Sequence, residues 1–382
     1  MGRVQDKLSQ IRRRISWLGL FSTLALVALG LVFIYSTTHH RPAYRGSLKI
    51  HLFYVILSIP MLVVLLAINY KWFQRYAFLI FLAGIVLVLL THVPGVRVQR
   101  NYSYRWIGSG RFSIQPSEIM KIAFVVGLAR YLMYRRNYRQ FVGLAVPFII
   151  SFAPMILILK QPDLGTSLVF LPVLFAMLYA AGAKTKHLAI IVLLGLLSVP
   201  VMWTSVMKPG QKQRIMSYLD AEAALEAGQD HAVKAQEAIS RGGMTGEGLT
   251  HSIYNERGLL YAAESDFIFA IVCGEWGFVG AQVILILYTL LVVSIVQIAL
   301  TTREPFGRLI VIGLGTLIVF QALTNMAIAS GLLPTTGLTL PFISKGGSSL
   351  LSMVAAMGII LNVGINQEPI LAREDFNFGP GE

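Results

Sequence analysis

Ten stretches of this 382-residue chain run for about twenty mostly apolar residues, and few folds can accommodate that pattern. They are Trp17–Thr37, Ile50–Asn69, Tyr76–Val93, Pro116–Tyr134, Phe141–Leu159, Pro162–Ala181, His187–Ser205, Ser265–Leu300, Leu309–Gly331 and Ser344–Ile365. A helix rises 1.5 Å per residue, so ~20 residues cross a hydrocarbon layer of about 30 Å. In lipid every backbone polar group must be paired within the protein, and a helix does this most simply. The expected fold is therefore all-α, a polytopic transmembrane bundle of about ten spans. The eighth run is the longest and has room to tilt or to continue beyond the bilayer. Composition agrees: 55% of residues are hydrophobic and 13% charged, against ~45–50% and ~25% in soluble domains. That excludes a soluble enzyme, a disordered chain and a collagen-like fibre. A single cysteine, Cys273, excludes a disulfide scaffold or a Cys-rich metal site. Arg12, Arg13 and Arg14 before the first run mimic a signal peptide, but the run is too long and lacks a small-residue cleavage site. A retained anchor is expected.

The formal net charge is +14. The basic residues are scattered between apolar runs, so they point to lipid headgroups or an anionic substrate and not to nucleic acid. Lys and Arg in the short loops favour an inside N-terminus. This divides the chain into a cytoplasmic tail (1–16), a membrane domain (17–366) with an extracytoplasmic loop at 206–264, and a cytoplasmic tail (367–382). Arg97, Arg100, Arg105 and Arg111 run against that bias on the outer side, which suggests a use. Within the long loop, Ala- and Glu-rich Asp220–Ser240 predicts one or two surface helices, and Arg241–Gly248 (RGGMTGEG) predicts a turn-rich return to the membrane.

Spans four, six, eight and ten run in one direction and begin on one side. Each opens with a polar motif: Gln115-Pro-Ser-Glu118, Gln161-Pro-Asp-Leu164, Glu264-Ser-Asp-Phe267 and Ser344-Lys-Gly-Gly-Ser-Ser349. Helix N-termini expose unpaired N–H groups and a partial positive charge, so four of them around one polar cavity suit a phosphate or carboxylate. Capping alone explains much of any single motif, with Pro116 and Pro162 fitting the first helical position and Ser117, Asp163 and Ser265 the first turn or cap. It does not explain why Glu118, Lys121, Asp163, Glu264, Asp266 and Lys345 should all stand at a membrane interface, where ionisable groups are costly. Glu118 and Lys121 share a helical face within ion-pair reach. They read either as a self-satisfied pair or as groups that position a substrate. Asp266, close to Glu264 in a low-dielectric setting, reads either as a general base or as a cap carboxylate favoured by the helix dipole. Glu275, further along the same helix, reads as a structural pair. Trp106 is a stacking candidate for a sugar or an interfacial aromatic. Gly346-Gly347 before Ser348 and Ser349 allows close backbone approach to a ligand. The histidines show no metal-ligand spacing, and no Walker or dinucleotide motif is present.

These motifs, with Gly331–Ser349 (GLLPTTGLTLPFISKGGSS), resemble the SEDS family of shape, elongation, division and sporulation proteins, which includes RodA and FtsW. The resemblance covers nearly the whole chain in order. It implies a polytopic peptidoglycan glycosyltransferase that polymerises lipid II outside the bacterial cytoplasmic membrane, usually with a class B penicillin-binding protein. It places the family's essential aspartate on Asp266, its Glu/Lys pair on Glu118 and Lys121, its loop tryptophan on Trp106 and its span-six aspartate on Asp163. Three departures stand out: Glu264-Ser265 replaces the usual His-Thr, Lys345 the usual Tyr, and Gly274-Glu275 the usual Glu-Glu. The QPDLGTS wording and modest tails lie nearer the RodA branch, and GLTLPFIS nearer FtsW; the RodA branch is the expectation. Lys121, Arg105, Arg111 and Lys345 are candidate cations for a diphosphate leaving group, with Ser348 and Ser349 beside them. No cofactor is called for, although a divalent cation is a further candidate. Two rival readings use the same residues: a transporter of lipid II, and a non-catalytic scaffold for a penicillin-binding protein.

Overall fold

The computed structural model describes residues 14–39, 45–94, 97–100, 103–109, 112–134, 140–205, 231–260 and 262–367, with a few isolated residues between 207 and 218. Ten long helices coincide with the ten apolar runs. They are α1 (Trp17–His39), α2 (Arg45–Ala67), α4 (Ala77–Leu90), α5 (Pro116–Tyr134), α6 (Ala145–Leu159), α7 (Leu164–Ala181), α8 (Thr185–Ser205), α11 (Ile268–Thr301), α12 (Pro305–Ala329) and α13 (Gly347–Ile365). Short helices α3 (Lys71–Arg75), α9 (His231–Gly242) and α10 (Ile253–Glu256) complete the set used below. Among the described residues, seven helices are long and apolar enough to cross a membrane. The shorter α4 and α8 are also apolar, and α5 carries the buried Glu118 and Lys121. The chain is a multi-pass membrane protein.

Packing sorts the helices by their share of polar motif. The apolar windows of α13 and α12 are 78% and 67% buried, whereas that of α2 is 17% buried. The two helices at the centre carry the Ser/Gly start and the buried amides Gln321, Asn325 and Asn362. The outer helices present Leu, Ile, Val and Phe outward, as with Ile149 and Leu197. This inverts the soluble pattern, because lipid solvates apolar side chains and leaves polar ones to be paired inside.

The structure adds one element to the all-α expectation. Arg97–Arg100 (β1), Ser103–Ser109 (β2) and Phe112–Ile114 (β3) form an antiparallel sheet in the order β1-β2-β3. Three short runs separated by two residues each were the available signal, as in tight hairpins. In the long loop, α9 covers the second half of the predicted surface-helix stretch; residues 219–230 lie outside the described residues.

The eighth run is one element interrupted at Gly277, whose φ of 61° and ψ of −152° lie outside the helical region. The break frees backbone groups that would be costly in lipid, and the turn after α9 pairs them. The N–H groups of Phe278 and Val279 donate to the carbonyls of Gly243 (2.8 Å) and Met244 (3.2 Å). The carbonyls of Gly274 and Glu275 accept from Glu247 and Gly248, both at 2.9 Å. Glu275 also sits here, its Oε1 accepting from Asn255 Nδ2 (3.0 Å) and from Ser36 Oγ, in keeping with a structural role. A Cβ on Gly277 would meet Gly246 N at 2.5 Å, in a backbone conformation that is nearly exclusive to glycine. Gly277→Ala is therefore expected to lose about 1–3 kcal/mol, read as a lower unfolding temperature of the purified protein in one detergent.

Candidate functional site

The four polar helix starts meet at one end of the bundle. Helix α5 begins at Pro116, the first helical position as expected, and α13 begins at Gly347 after Gly346. Helix α7 begins at Leu164, two residues later than the proline rule suggests. Asp163 is its cap, accepting from the Thr166 N–H at 3.1 Å, and Pro162 precedes the cap. Helix α11 begins at Ile268, with Phe267 as its cap residue. Ser265 and Asp266 thus stand in a preceding turn, their N–H groups directed to the Ala262 carbonyl at 3.0 and 3.1 Å. Ala262, with φ of 52°, turns the chain there.

The first group of contacts joins the sheet to α5, α7 and α13. Arg105 on β2 donates to the carbonyls of Gln161 (3.0 Å) and Pro162, and its guanidinium lies 3.4 Å from Asp163 Oδ2. The same carboxylate receives Gln115 Nε2 at 3.5 Å, while the Gln115 N–H donates to Ser348 Oγ at 3.0 Å. Arg105 is thus occupied in docking the sheet onto the start of α7. Trp106 is its neighbour on β2, half-buried and opposite Val98 of β1. Arg111 lies outside the described residues.

The second group is centred on Lys121, which is 1% exposed. Its ammonium donates to Glu118 Oε1 (2.8 Å) and Gln321 Oε1 (2.9 Å), and Glu118 Oε2 accepts from Ser352 Oγ (2.6 Å). Helical spacing predicts the pair; Gln321 and Ser352 come from α12 and α13. Gln321 Nε2 donates to the Thr339 carbonyl at 3.0 Å, and Thr339 Oγ1 is 2.8 Å from Ser349 Oγ. Burying an ion costs several kcal/mol unless its partners are well placed, and here both ends of the pair are hydrogen-bonded.

The third group holds Asp266. Its carbonyl accepts from Asn325 Nδ2 at 2.8 Å, and that amide also donates to the Leu338 carbonyl at 2.7 Å. The half-buried Asp266 carboxylate faces the turn at Gly337, where an added Cβ would stand 3.7 Å from Oδ2. The same turn abuts the start of α7: a Cβ on Gly165 would meet the Thr336 carbonyl at 2.5 Å, so glycine is needed for this approach. Lys345 donates through Nζ to Glu264 Oε1 (3.1 Å) and Ser47 Oγ (2.8 Å). Two of the departures noted in the sequence, Glu264 and Lys345, therefore meet in one ion pair. Among the described residues, no three His, Cys, Asp or Glu side chains gather at one point. A separate apolar groove of about 340 Å³ between α11 and α12, lined by Ile295, Val296, Ile312 and Phe320 among others, contains none of the motif residues.

Gln321, Asn325, Thr339 and Ser352 escaped the sequence reading. Gln321 and Asn325 stand one turn apart in an otherwise apolar run, and intramembrane polar residues at that spacing were the available signal.

The FtsW, RodA and SpoVE family, described as cell cycle proteins, matches residues 17–368. The chain belongs to this family. It is similar to stage V sporulation protein E of Bacillus subtilis (strain 168), with 34% identity over 89% of this chain and 94% of that protein. A probable peptidoglycan glycosyltransferase FtsW of Geobacter sulfurreducens (strain DL-1 / KN400) is 34% identical over 90% of this chain and 93% of its own length. The peptidoglycan glycosyltransferase MrdB of Escherichia coli (strain K12) is 31% identical over 81% of this chain and 83% of that protein. Among solved structures, a chain of a peptidoglycan synthase complex superposes with a TM-score of 0.80 at 29% identity, covering 92% of this chain and 97% of that one. The rod shape determining protein RodA of Thermus thermophilus gives a TM-score of 0.69 at 26% identity, covering 93% and 98%. Relatives named SpoVE, FtsW, MrdB and RodA all fall between 26% and 34% identity, so identity assigns the family and not the branch.

Proposed function

We infer that the chain is a peptidoglycan glycosyltransferase that polymerises lipid II into glycan strands, acting at the outer face of the bacterial cytoplasmic membrane. The observation that carries this reading is the single hydrogen-bonded frame at one end of the bundle, which joins Asp266, the Glu118–Lys121 pair and the start of α13. The family's relatives named as glycosyltransferases support it. Asp266 takes the proton from an acceptor sugar hydroxyl. That oxygen forms a bond to the donor's anomeric carbon, and the carbon–oxygen bond to the polyprenyl diphosphate breaks. The electron pair leaves with the diphosphate, and attack from the opposite face inverts the anomeric centre. The growing negative charge calls for cations and helix N-termini directed at it. Lys121, Lys345 and Arg111, with Ser348 and Ser349, are the groups we assign to that end, and Arg105, Trp106 and Asp163 to the flank beside the sheet. A divalent cation would add neutralising charge at the diphosphate, and no step here depends on it.

The resemblance to a chain of a peptidoglycan synthase complex supports a partner of the class B penicillin-binding type, and a role in elongation or division. The experiment is polymerisation of labelled lipid II by the purified chain in detergent and in liposomes, with and without such a partner. Glycan chains made by this protein, also when the partner carries only an inactivated crosslinking site, are the expected result. Transfer of lipid II across liposomes without polymer would establish a transporter, and polymer made wholly by the partner would establish a scaffold.

A further inference from the structure

A fully buried amide on α12 carries a connection that the catalytic reading leaves unexplained. Asn325 Nδ2 donates to the carbonyls of Asp266 (2.8 Å) and Leu338 (2.7 Å). Two carbonyl partners settle which way the amide points, since only its NH₂ end can serve both. Its Oδ1 is buried with no hydrogen-bond partner among the described residues, a cost that an apolar side chain would avoid. What the amide supplies is the two donated bonds.

Asp266 lies in a turn outside the hydrogen-bond ladder of α11, so its placement depends on what holds that turn. Three successive carbonyls are each tied to a different residue. Glu264 accepts from the Lys345 N–H at 2.7 Å, Ser265 from Ser344 Oγ at 2.5 Å, and Asp266 from Asn325. One turn before Asn325, Gln321 binds the Thr339 carbonyl (3.0 Å) and the Lys121 ammonium (2.9 Å). The two amides thus grip residues 338 and 339, the segment between Asp266 and Lys121.

We propose that Asn325 is a positioning residue for the glycosyl transfer. It pins the Asp266 backbone to Leu338 and, with Gln321, sets the carboxylate's place relative to the Lys121 ammonium. The proposal rests on the reading of Asp266 as the base. Asn325 touches no reacting atom and acts through Asp266, so its loss should slow the chemical step and leave lipid II binding alone.

The test is steady-state polymerisation of lipid II by the full chain carrying Asn325→Ala or Asn325→Leu, the second being similar in volume and without donors. A misplacement near 1 Å costs about 10²-fold, so kcat is expected to fall by about that factor. KM should stay within about threefold, as for an interaction made only in the transition state. The leucine variant decides if the alanine variant does not fold. A kcat within about threefold of wild type, or a raised KM with kcat unchanged, overturns the proposal. Asp266→Asn in the same assay separates two failures. If that variant polymerises, the base assignment is wrong; if it is inactive while the Asn325 variants behave as wild type, only the positioning role is wrong.

Discussion

Asp266→Asn is expected to abolish glycan polymerisation while leaving the protein folded. The substitution keeps the side-chain shape, and the Asp266 carbonyl still accepts from Asn325, because that bond involves only backbone on the aspartate side. What disappears is a carboxylate able to take a proton. General-base contributions run at about 10²–10⁴-fold, and the loss should fall in that range. The measurement is polymer formed per enzyme from labelled lipid II, with an unfolding scan as the folding control. A variant retaining more than about a tenth of wild-type activity would move the proton acceptor elsewhere.

Lys121→Met should carry the largest stability penalty of any single change at the site. It removes a buried cation and leaves Glu118, 5% exposed, with Ser352 as its remaining hydrogen-bond donor at 2.6 Å. Breaking a buried pair from one side costs about 3–5 kcal/mol, because the other charge stays buried and uncompensated. The Gln321 Oε1 acceptor also loses its donor. Adding Glu118→Gln removes the stranded charge, and the double variant should regain most of the lost stability. Activity separates the roles of the pair. If Glu118 and Lys121 serve the reaction, the restabilised double variant remains inactive; if they only satisfy one another, it polymerises lipid II once folded.

Both predictions begin with residues visible before any coordinates, but their surroundings were not. The Glu118–Lys121 pair was legible because helical periodicity alone brings residues at that spacing together. Lys345 and Glu264 are far apart in sequence, and nothing local foretold that the two departures would meet. Arg105 looked available for a diphosphate by its outer-side position. The fold instead sets it against Asp163 and two carbonyls, because the sheet docks on the start of α7. The partners on α12 were overlooked for a related reason: the one-turn spacing of Gln321 and Asn325 marks two polar groups in lipid but says nothing of the distant carbonyls and ammonium they bind.

The amino-acid sequence by itself determined ten helices, their polar starts and the family motifs, since run length in lipid and helical spacing are properties of contiguous residues. Tertiary structure alone decided where helix α11 breaks, which loop pairs the exposed backbone at Gly277, and which buried amides tie Asp266 and Lys121 into one frame. Those contacts join segments distant along the chain, and only the packing of whole helices brings their polar groups within hydrogen-bond reach.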